Sequence, residues 1–220
     1  MDRKLISRRI ADVRENLMRL NNHICAMDSL DIQRYPDNYE TMSTEAALRA
    51  EKIACQLRNL LYTTTDISKT DYLLQAGEVH GIDILYENGI VEITLPRLLP
   101  KKKAKQSCLF LLDPLHAALE QYAAHTALPR FRECVVCISH VYSHELPDWC
   151  LLDYDNLQQK QLLDTIALHV MVDDSGLLCD AYNTTELGDR DCTHIYIMGK
   201  DCFADWLTER KNRLKSISDF

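Results

Sequence analysis

The amino-acid sequence predicts an α+β fold, in which an N-terminal helical hairpin precedes a small mixed sheet with packed helices. Apolar residues recur at spacings of three and four as far as about residue 62, which is the period of amphipathic helices. From about residue 82 the apolar runs become short and are separated by turn residues. The order of elements from residue 80 onward is ββαβαββα. We therefore assign residues 1–75 to a hairpin with an accessory or dimerisation role, and residues 76–220 to a second domain.

The first two elements are helices joined by a loop. Helix one runs from about Arg3 to Met27, on the apolar spacing of Leu5, Ile6, Ile10, Val13, Leu17, Leu20 and Ile24. Residues 28–39 contain a Pro-Asp-Asn run and predict the loop. Thr41 or Ser43 can cap a second helix that reaches about Tyr62. Residues 63–75 are polar and rich in Thr, and they are the predicted linker.

A β-hairpin follows the linker. The runs GIDILY and IVEITLP flank Asn88-Gly89, and this pair favours a tight turn because both residues tolerate positive φ. The elements predicted after it are a helix over 107–126, a strand over 133–142, a helix over 157–170, strands over 177–182 and 194–198, and a last helix over 200–217.

Composition places the chain among ordinary globular proteins. It is 46% hydrophobic and 26% charged, and no run approaches the roughly 20 apolar residues of a membrane helix. The N-terminus has no apolar core of the signal-peptide type, so we expect a cytoplasmic protein without a membrane partner. The net charge of −8 argues against nucleic-acid binding by bulk charge, although local basic patches matter more than the total.

The nine cysteines are odd in number and scattered through apolar segments, which favours buried free thiols. Cys134 and Cys137 form a Cys-x-x-Cys pair inside a predicted strand. Residues three apart on a strand face opposite sides of the sheet, which argues against a shared metal. His140 and His144 follow closely and leave a zinc site open as an alternative.

The densest group of chemically active side chains lies in the last third of the chain. It begins with Asp153-Tyr154-Asp155-Asn156, continues with Lys160 and Asp164, and ends with Asp173-Asp174. Two Asp residues at i and i+2 point to the same side of an extended segment, a workable arrangement for one hard cation. Asp155 or Asn156 would cap the next helix, and Lys160 in its second turn could lean back toward that end. The same pattern also occurs where a turn simply precedes a capped helix and no metal is bound.

This arrangement resembles the RusA-like Holliday-junction resolvases. That family carries the motif D-x-D-N-x-x-K-x-x-x-D, followed about ten residues later by D-D. The chain reads LDYDNLQQKQLLD and then VDDSG, so that Asp153, Asp155 and Asn156 match the start of the motif and Asp173-Asp174 match its end. Lys160 and Asp164 keep the family's separation of four, but one extra residue places Gln159 at the strict lysine position. The resemblance covers roughly residues 82–200.

The resemblance implies a RusA-like domain and a homodimeric, Mg²⁺-dependent endonuclease (Mn²⁺ being a substitute) that acts on branched DNA. Asp153, Asp155 and Asp174 would hold the metal, with Asp173 as a weaker candidate, and Lys160 would contact phosphate. Recombination or repair in a phage or mobile element would be the setting. The best basic patch is a run that could follow the DNA backbone or only keep a loop soluble: Lys101, Lys102, Lys103 and Lys105.

Two other interpretations stay open. The fold could carry a catalytically inactive DNA-binding protein, or a protein-interaction accessory whose hairpin is the functional part. A Ser-His-Asp hydrolase is disfavoured because the chain has no Gly-x-Ser-x-Gly elbow. With six unclustered glycines there is no phosphate-binding loop, so we expect no nucleotide cofactor.

Overall fold

A computed structural model describes residues 3–100, 109–145 and 151–218. The predicted α+β class is confirmed, since these residues form six α-helices and a five-stranded mixed sheet. The chain divides into two compact units at Lys69–Thr70, six residues before the predicted boundary. No helix among the described residues is long and apolar enough to cross a membrane.

The first unit is the predicted helical hairpin. Its helices are α1 (Arg3–Asp28) and α2 (Pro36–Thr64). Pro36 occupies the first turn of α2, where its missing N–H costs nothing, so α2 begins before the predicted caps. The helices are antiparallel, with Arg9 donating to Thr63 at 3.0 Å and Asn16 donating to Gln56 at 3.1 Å.

The predicted linker over 63–75 is wrong. The Thr-rich run continues α2 as far as Thr64, and the hydroxyls of Thr63, Thr64 and Thr65 donate to carbonyl oxygens four residues earlier at 2.7 to 2.9 Å. The chain is non-helical for only a few residues before α3 (Lys69–His80) begins. The threonine hydroxyls are thus hydrogen-bonded to the last turns of α2, and this segment is not the loop that its polar composition predicts.

The second unit contains the sheet, with strand order β1-β2-β5-β3-β4. The strands are β1 (Asp83–Glu87), β2 (Ile90–Leu95), β3 (Cys134–Ser143), β4 (Cys179–Gly188) and β5 (Cys192–Gly199). The predicted hairpin turn between β1 and β2 is confirmed, with φ of 52° at Asn88 and 78° at Gly89. Neighbouring strands are antiparallel except β3 and β4, which are parallel.

The remaining helices cover the sheet on two faces. They are α4 (Leu109–His125), α5 (Lys160–Val170), which connects β3 to β4, and α6 (Phe203–Ser218). Leu162 and Ile166 of α5 are buried in the main core with alternate residues of β3, whereas Trp206 of α6 packs against Cys137 on the opposite face. Cys134 lies in the main core, so the prediction that Cys134 and Cys137 face opposite sides is confirmed.

Candidate functional site

The acidic motif forms a short turn between β3 and α5. Asp153 is extended, and Tyr154–Asn156 form a single 3-10 turn. The prediction that Asp153 and Asp155 share one side of an extended segment is therefore wrong, because residues two apart on a 3-10 helix point in different directions. Both side chains are exposed, and they flank the same turn.

Contacts with the sheet hold this acidic turn in place. The Tyr154 hydroxyl lies 3.0 Å from the Thr185 hydroxyl on β4, and its ring stacks on His140 of β3 at a centroid distance of 5.5 Å. Just before the turn, the Leu152 N–H donates to the Tyr142 hydroxyl at 3.2 Å. Just after it, Leu157 is buried in the main core. The two carboxylates therefore project from a turn that is held at three places: by Leu152 before it, by Tyr154 within it and by Leu157 after it.

A buried polar cluster lies beneath the turn. The Gln159 amide donates to Asn183 at 2.9 Å, and the His140 Nε2 atom lies 3.4 Å from the Gln159 amide nitrogen and 3.5 Å from the Asn183 oxygen. His140 is fully buried, and this burial lowers the pKa of its imidazole despite the opposing contact with Asn183. Gln159, at the motif's lysine position, is half-buried and contacts this histidine and Asn183.

Lys160 lies at the same end of α5 as the acidic turn. It is exposed and is the first residue of α5. Its predicted place in the second turn is wrong, because the helix starts at Lys160 and not at residue 157. The N-cap is Gln159, and its side chain makes no capping bond, so the predicted capping by Asp155 or Asn156 is also wrong. The Gln158 N–H is bound instead by the Pro100 carbonyl at 2.9 Å, which keeps this stretch out of the helix.

Asp173 and Asp174 lie beyond the other end of α5. The Val172 N–H donates to the Phe131 carbonyl at 2.9 Å, which places this segment beside the residues that precede β3. The hydrogen bond with Cys134 lowers the pKa of the thiol of Cys179, the first residue of β4, and the charge of nearby Asp174 opposes this shift. Tyr154, by contrast, contacts Thr185, six residues further along β4 and roughly 20 Å away by strand rise.

The predicted three-aspartate centre is therefore not assembled within one chain. The reason is the parallel pairing of β3 and β4, since a helix that connects parallel neighbours carries the chain from the carboxyl end of one strand to the amino end of the next. The 11 residues of α5 separate the two acidic pairs by roughly 16 Å along the helix axis. Among the described residues, no three His, Cys, Asp or Glu side chains converge as a metal site.

The predicted basic patch (Lys101, Lys102, Lys103 and Lys105) lies outside the described residues. Pro100, the residue before it, is held to Gln158 next to the acidic turn.

A cavity of about 780 Å³ lies on the opposite face of the sheet, beside α6. Its lining combines aromatic side chains with four acidic residues: Glu87, Glu92, Asp205 and Glu209. A wall of this charge repels phosphate, so this cavity is a poor place for a nucleic-acid backbone.

The chain belongs to a family of unknown function, DUF6100, whose model matches residues 2–220. No curated protein matches it. The family description names no activity, and the resemblance to RusA-like resolvases stays a prediction.

Sequence reasoning singled out the acidic residues but not the polar side chains that hold them. Asn183 and Thr185 lie on a strand that was predicted to end at residue 182. Ser139 and His140 interrupt an apolar run, and they were the signs of polar groups inside the core.

Proposed function

We propose that this protein is a Mg²⁺-dependent endodeoxyribonuclease that acts on branched DNA, with a metal site at Asp153 and Asp155. The observation that carries the proposal is the acidic turn itself. Two exposed carboxylates project from a turn that Tyr154 and Leu157 fasten to the sheet. The turn lies at the carboxyl end of the parallel pair β3 and β4, where open α/β sheets hold their ligands.

The residues present suit a hard cation. Mg²⁺ is bound in proteins by one or two carboxylates and keeps several waters, so either aspartate of the turn could hold it, with waters in the remaining positions. When bound, it would supply a water of lowered pKa and neutralise charge on the phosphate, which leads to in-line hydrolysis with 5′-phosphate and 3′-hydroxyl products. Asp153 or Asp155 would position it, because the turn that carries both is fixed by the sheet contacts.

Basic residues of the second unit would bind the DNA backbone. Lys160 is exposed at the first position of α5, where a long side chain leans toward the helix N-terminus and therefore toward the turn. The run Lys101, Lys102, Lys103 and Lys105 begins directly after Pro100, which is bonded to Gln158. These contacts would offset the overall charge of −8, which otherwise opposes association with DNA.

Cleavage of a synthetic four-way junction in Mg²⁺ tests the proposal. Asp155→Asn keeps the shape and removes a charge that holds the cation, so we expect at least about a 100-fold loss of cleavage with junction binding retained. Asp174→Asn is the matched control, because Asp174 lies at the far end of α5, and it should cut at nearly the wild-type rate. Cleavage that survives both Asp155→Asn and Asp153→Asn contradicts the site. Equal losses in Asp155→Asn and Asp174→Asn would indicate a centre shared between two copies.

A catalytically inactive accessory on the same fold is the second candidate. It is favoured by the position of Gln159, which donates to Asn183 within the buried cluster where the motif has a lysine. It is favoured also by the distance that α5 places between the two acidic pairs. The same assay separates the two candidates, since an accessory would bind the junction without cutting it in either Mg²⁺ or Mn²⁺.

A further inference from the structure

The hairpin of α1 and α2 has a well-defined inner seam. Arg9 bonds to Thr63 and Asn16 bonds to Gln56, so these side chains lie between the two helices. Val13, midway between Arg9 and Asn16 on α1, is buried. The seam on α1 thus contains polar residues as well as the buried Val13.

One side of the hairpin is apolar. Ile10, Leu17 and Ile24 follow one another at intervals of seven residues on α1, and they are 44, 46 and 52% exposed. Each stands one residue after a seam position, namely Arg9, Asn16 and His23, whose ring lies 3.8 Å from Glu45 of α2. This turns all three about 100° to the same side of the helix. Leu57 stands one residue after Gln56 on α2 and is 47% exposed. Because the helices are antiparallel, positions that follow the seam residues on both helices face the same side.

The other side of the hairpin contains a polar groove. Asp12 and Asn59 each lie three residues after a seam residue, and they line a groove together with Arg9 and Gln56. Four exposed apolar residues thus form a stripe, whereas Leu5, Met18 and Leu48 are exposed elsewhere on the hairpin. A stripe of this kind on a helical pair is the surface by which helices pack on other helices.

The size of the apolar side suits a stable interface. Helices of 26 and 29 residues are about 40 Å long and lie side by side over a width of about 20 Å. Their common side therefore offers roughly 800 Å², which is the area that each partner contributes to an interface of standard size.

Charge indicates which partner fits. The open half of the hairpin, residues 3–20 and 50–64, contains eight basic and three acidic residues. The half around the loop, residues 21–49, contains two basic and five acidic residues. Consider a two-fold axis that crosses the middle of the stripe, lies in the interface and is perpendicular to the helices. It places a second copy face to face with the first, with each basic half against an acidic half. The hairpin is therefore complementary to itself in the antiparallel orientation.

We infer that the hairpin pairs with the hairpin of a second copy of this chain, antiparallel, through the stripe of Ile10, Leu17, Ile24 and Leu57. The product is a four-helix arrangement with a closed two-fold interface. The side of each hairpin that contains the polar groove stays exposed on the outside. This inference does not depend on the proposed nuclease activity, because it rests on the first unit alone.

Mass measurement of the full chain by light scattering and sedimentation equilibrium tests the inference. The wild type should be a dimer at micromolar concentration. Leu17→Lys places a charge at the centre of the stripe in both copies and should raise the dimer dissociation constant at least about 100-fold. Met18→Lys is the matched control, because Met18 is 63% exposed on the next position and off the stripe, and it should remain dimeric.

Circular dichroism of each variant shows whether the helices are still formed. If Leu17→Lys unfolds the hairpin, Leu57→Lys is the second variant that disrupts the stripe. Added salt should weaken the wild-type dimer, since opposite charges face each other in the antiparallel orientation. A monomeric wild type overturns the inference, and so does a dimer that persists in both folded stripe variants. A dimer that salt strengthens overturns the antiparallel orientation.

Discussion

Arg210 of α6 forms an ion pair with Glu186 of the edge strand β4, and its guanidinium also lies over the ring of Trp206 at 5.8 Å from the ring centre. Ser139 of β3 donates to the same carboxylate, and Arg210 donates to Thr184 at 2.8 Å. Burial alone would raise the pKa of Glu186, but the hydrogen bonds from Ser139 and Arg210 and the charge of Arg210 outweigh it and lower this pKa. The group therefore ties the helix on one face of the sheet to its outermost strand.

Replacing Arg210 by Met should lower the free energy of unfolding by about 3 kcal/mol, because it leaves the half-buried Glu186 carboxylate without its charge partner. Urea unfolding of the full chain measures the change. Arg19→Met is the matched control, since Arg19 and Glu15 form an exposed pair on α1 and their loss should cost below about 0.5 kcal/mol. Similar costs for both variants would mean that the Arg210 pair stabilises no more than a surface pair.

The stabilisation by Glu186 should depend on pH in a defined direction. Its pKa is lowered in the folded state, so its contribution is fully present above the unfolded value of about 4.5 and is lost as the pH falls through the folded value. Glu186→Gln removes the titrating group and keeps an acceptor for Ser139. The stability difference between wild type and Glu186→Gln should be large at about pH 7 and shrink below about pH 4.5. A difference that is the same at pH 7 and pH 3 would contradict the ion pair.

The elements that the sequence predicts well are those with local causes. The spacing of Ile6, Val13 and Leu20 predicts α1 to within one residue of its end, and Asn88-Gly89 predicts the hairpin turn. The helix α5 starts three residues late because Leu157 enters the core and Gln158 bonds to the distant Pro100. A contact between two residues 58 positions apart leaves no pattern in the local sequence, so it could not be predicted.

The difference between local causes and distant contacts also explains which part of the candidate site the sequence predicts. The acidic turn follows from its own residues, whereas the place of Asp174 depends on which strand β4 joins and in which direction. Parallel pairing of β3 and β4 takes Asp174 to the far end of α5. Sequence spacing alone does not separate that outcome from one in which the chain returns past the helix start.

Tyr154 should govern metal affinity without being a ligand. Its stacking on His140 and its hydrogen bond to Thr185 hold the acidic turn, so Tyr154→Ala should weaken Mn²⁺ binding at Asp153 and Asp155 about 10-fold or more. Tyr154→Phe keeps the stacking and should lose less than about 3-fold. Calorimetric titration of the full chain with Mn²⁺ measures both. Equal affinities in wild type and Tyr154→Ala would show that the turn is not prearranged by this contact.

At the turn between β1 and β2, the cost of a left-handed backbone conformation can be measured without a change in packing. Gly89 has φ of 78°, and a Cβ added there would meet nothing within 4 Å. Gly89→Ala should therefore cost about 1 kcal/mol from the left-handed backbone alone. At Gly176 a Cβ would likewise meet nothing, but its φ is not in that region, so Gly176→Ala should be neutral or slightly stabilising. Both variants change the unfolded chain in the same way, so the difference between their unfolding free energies isolates the strain. Equal stabilities would mean that the β1–β2 turn does not hold Gly89 in this conformation in solution.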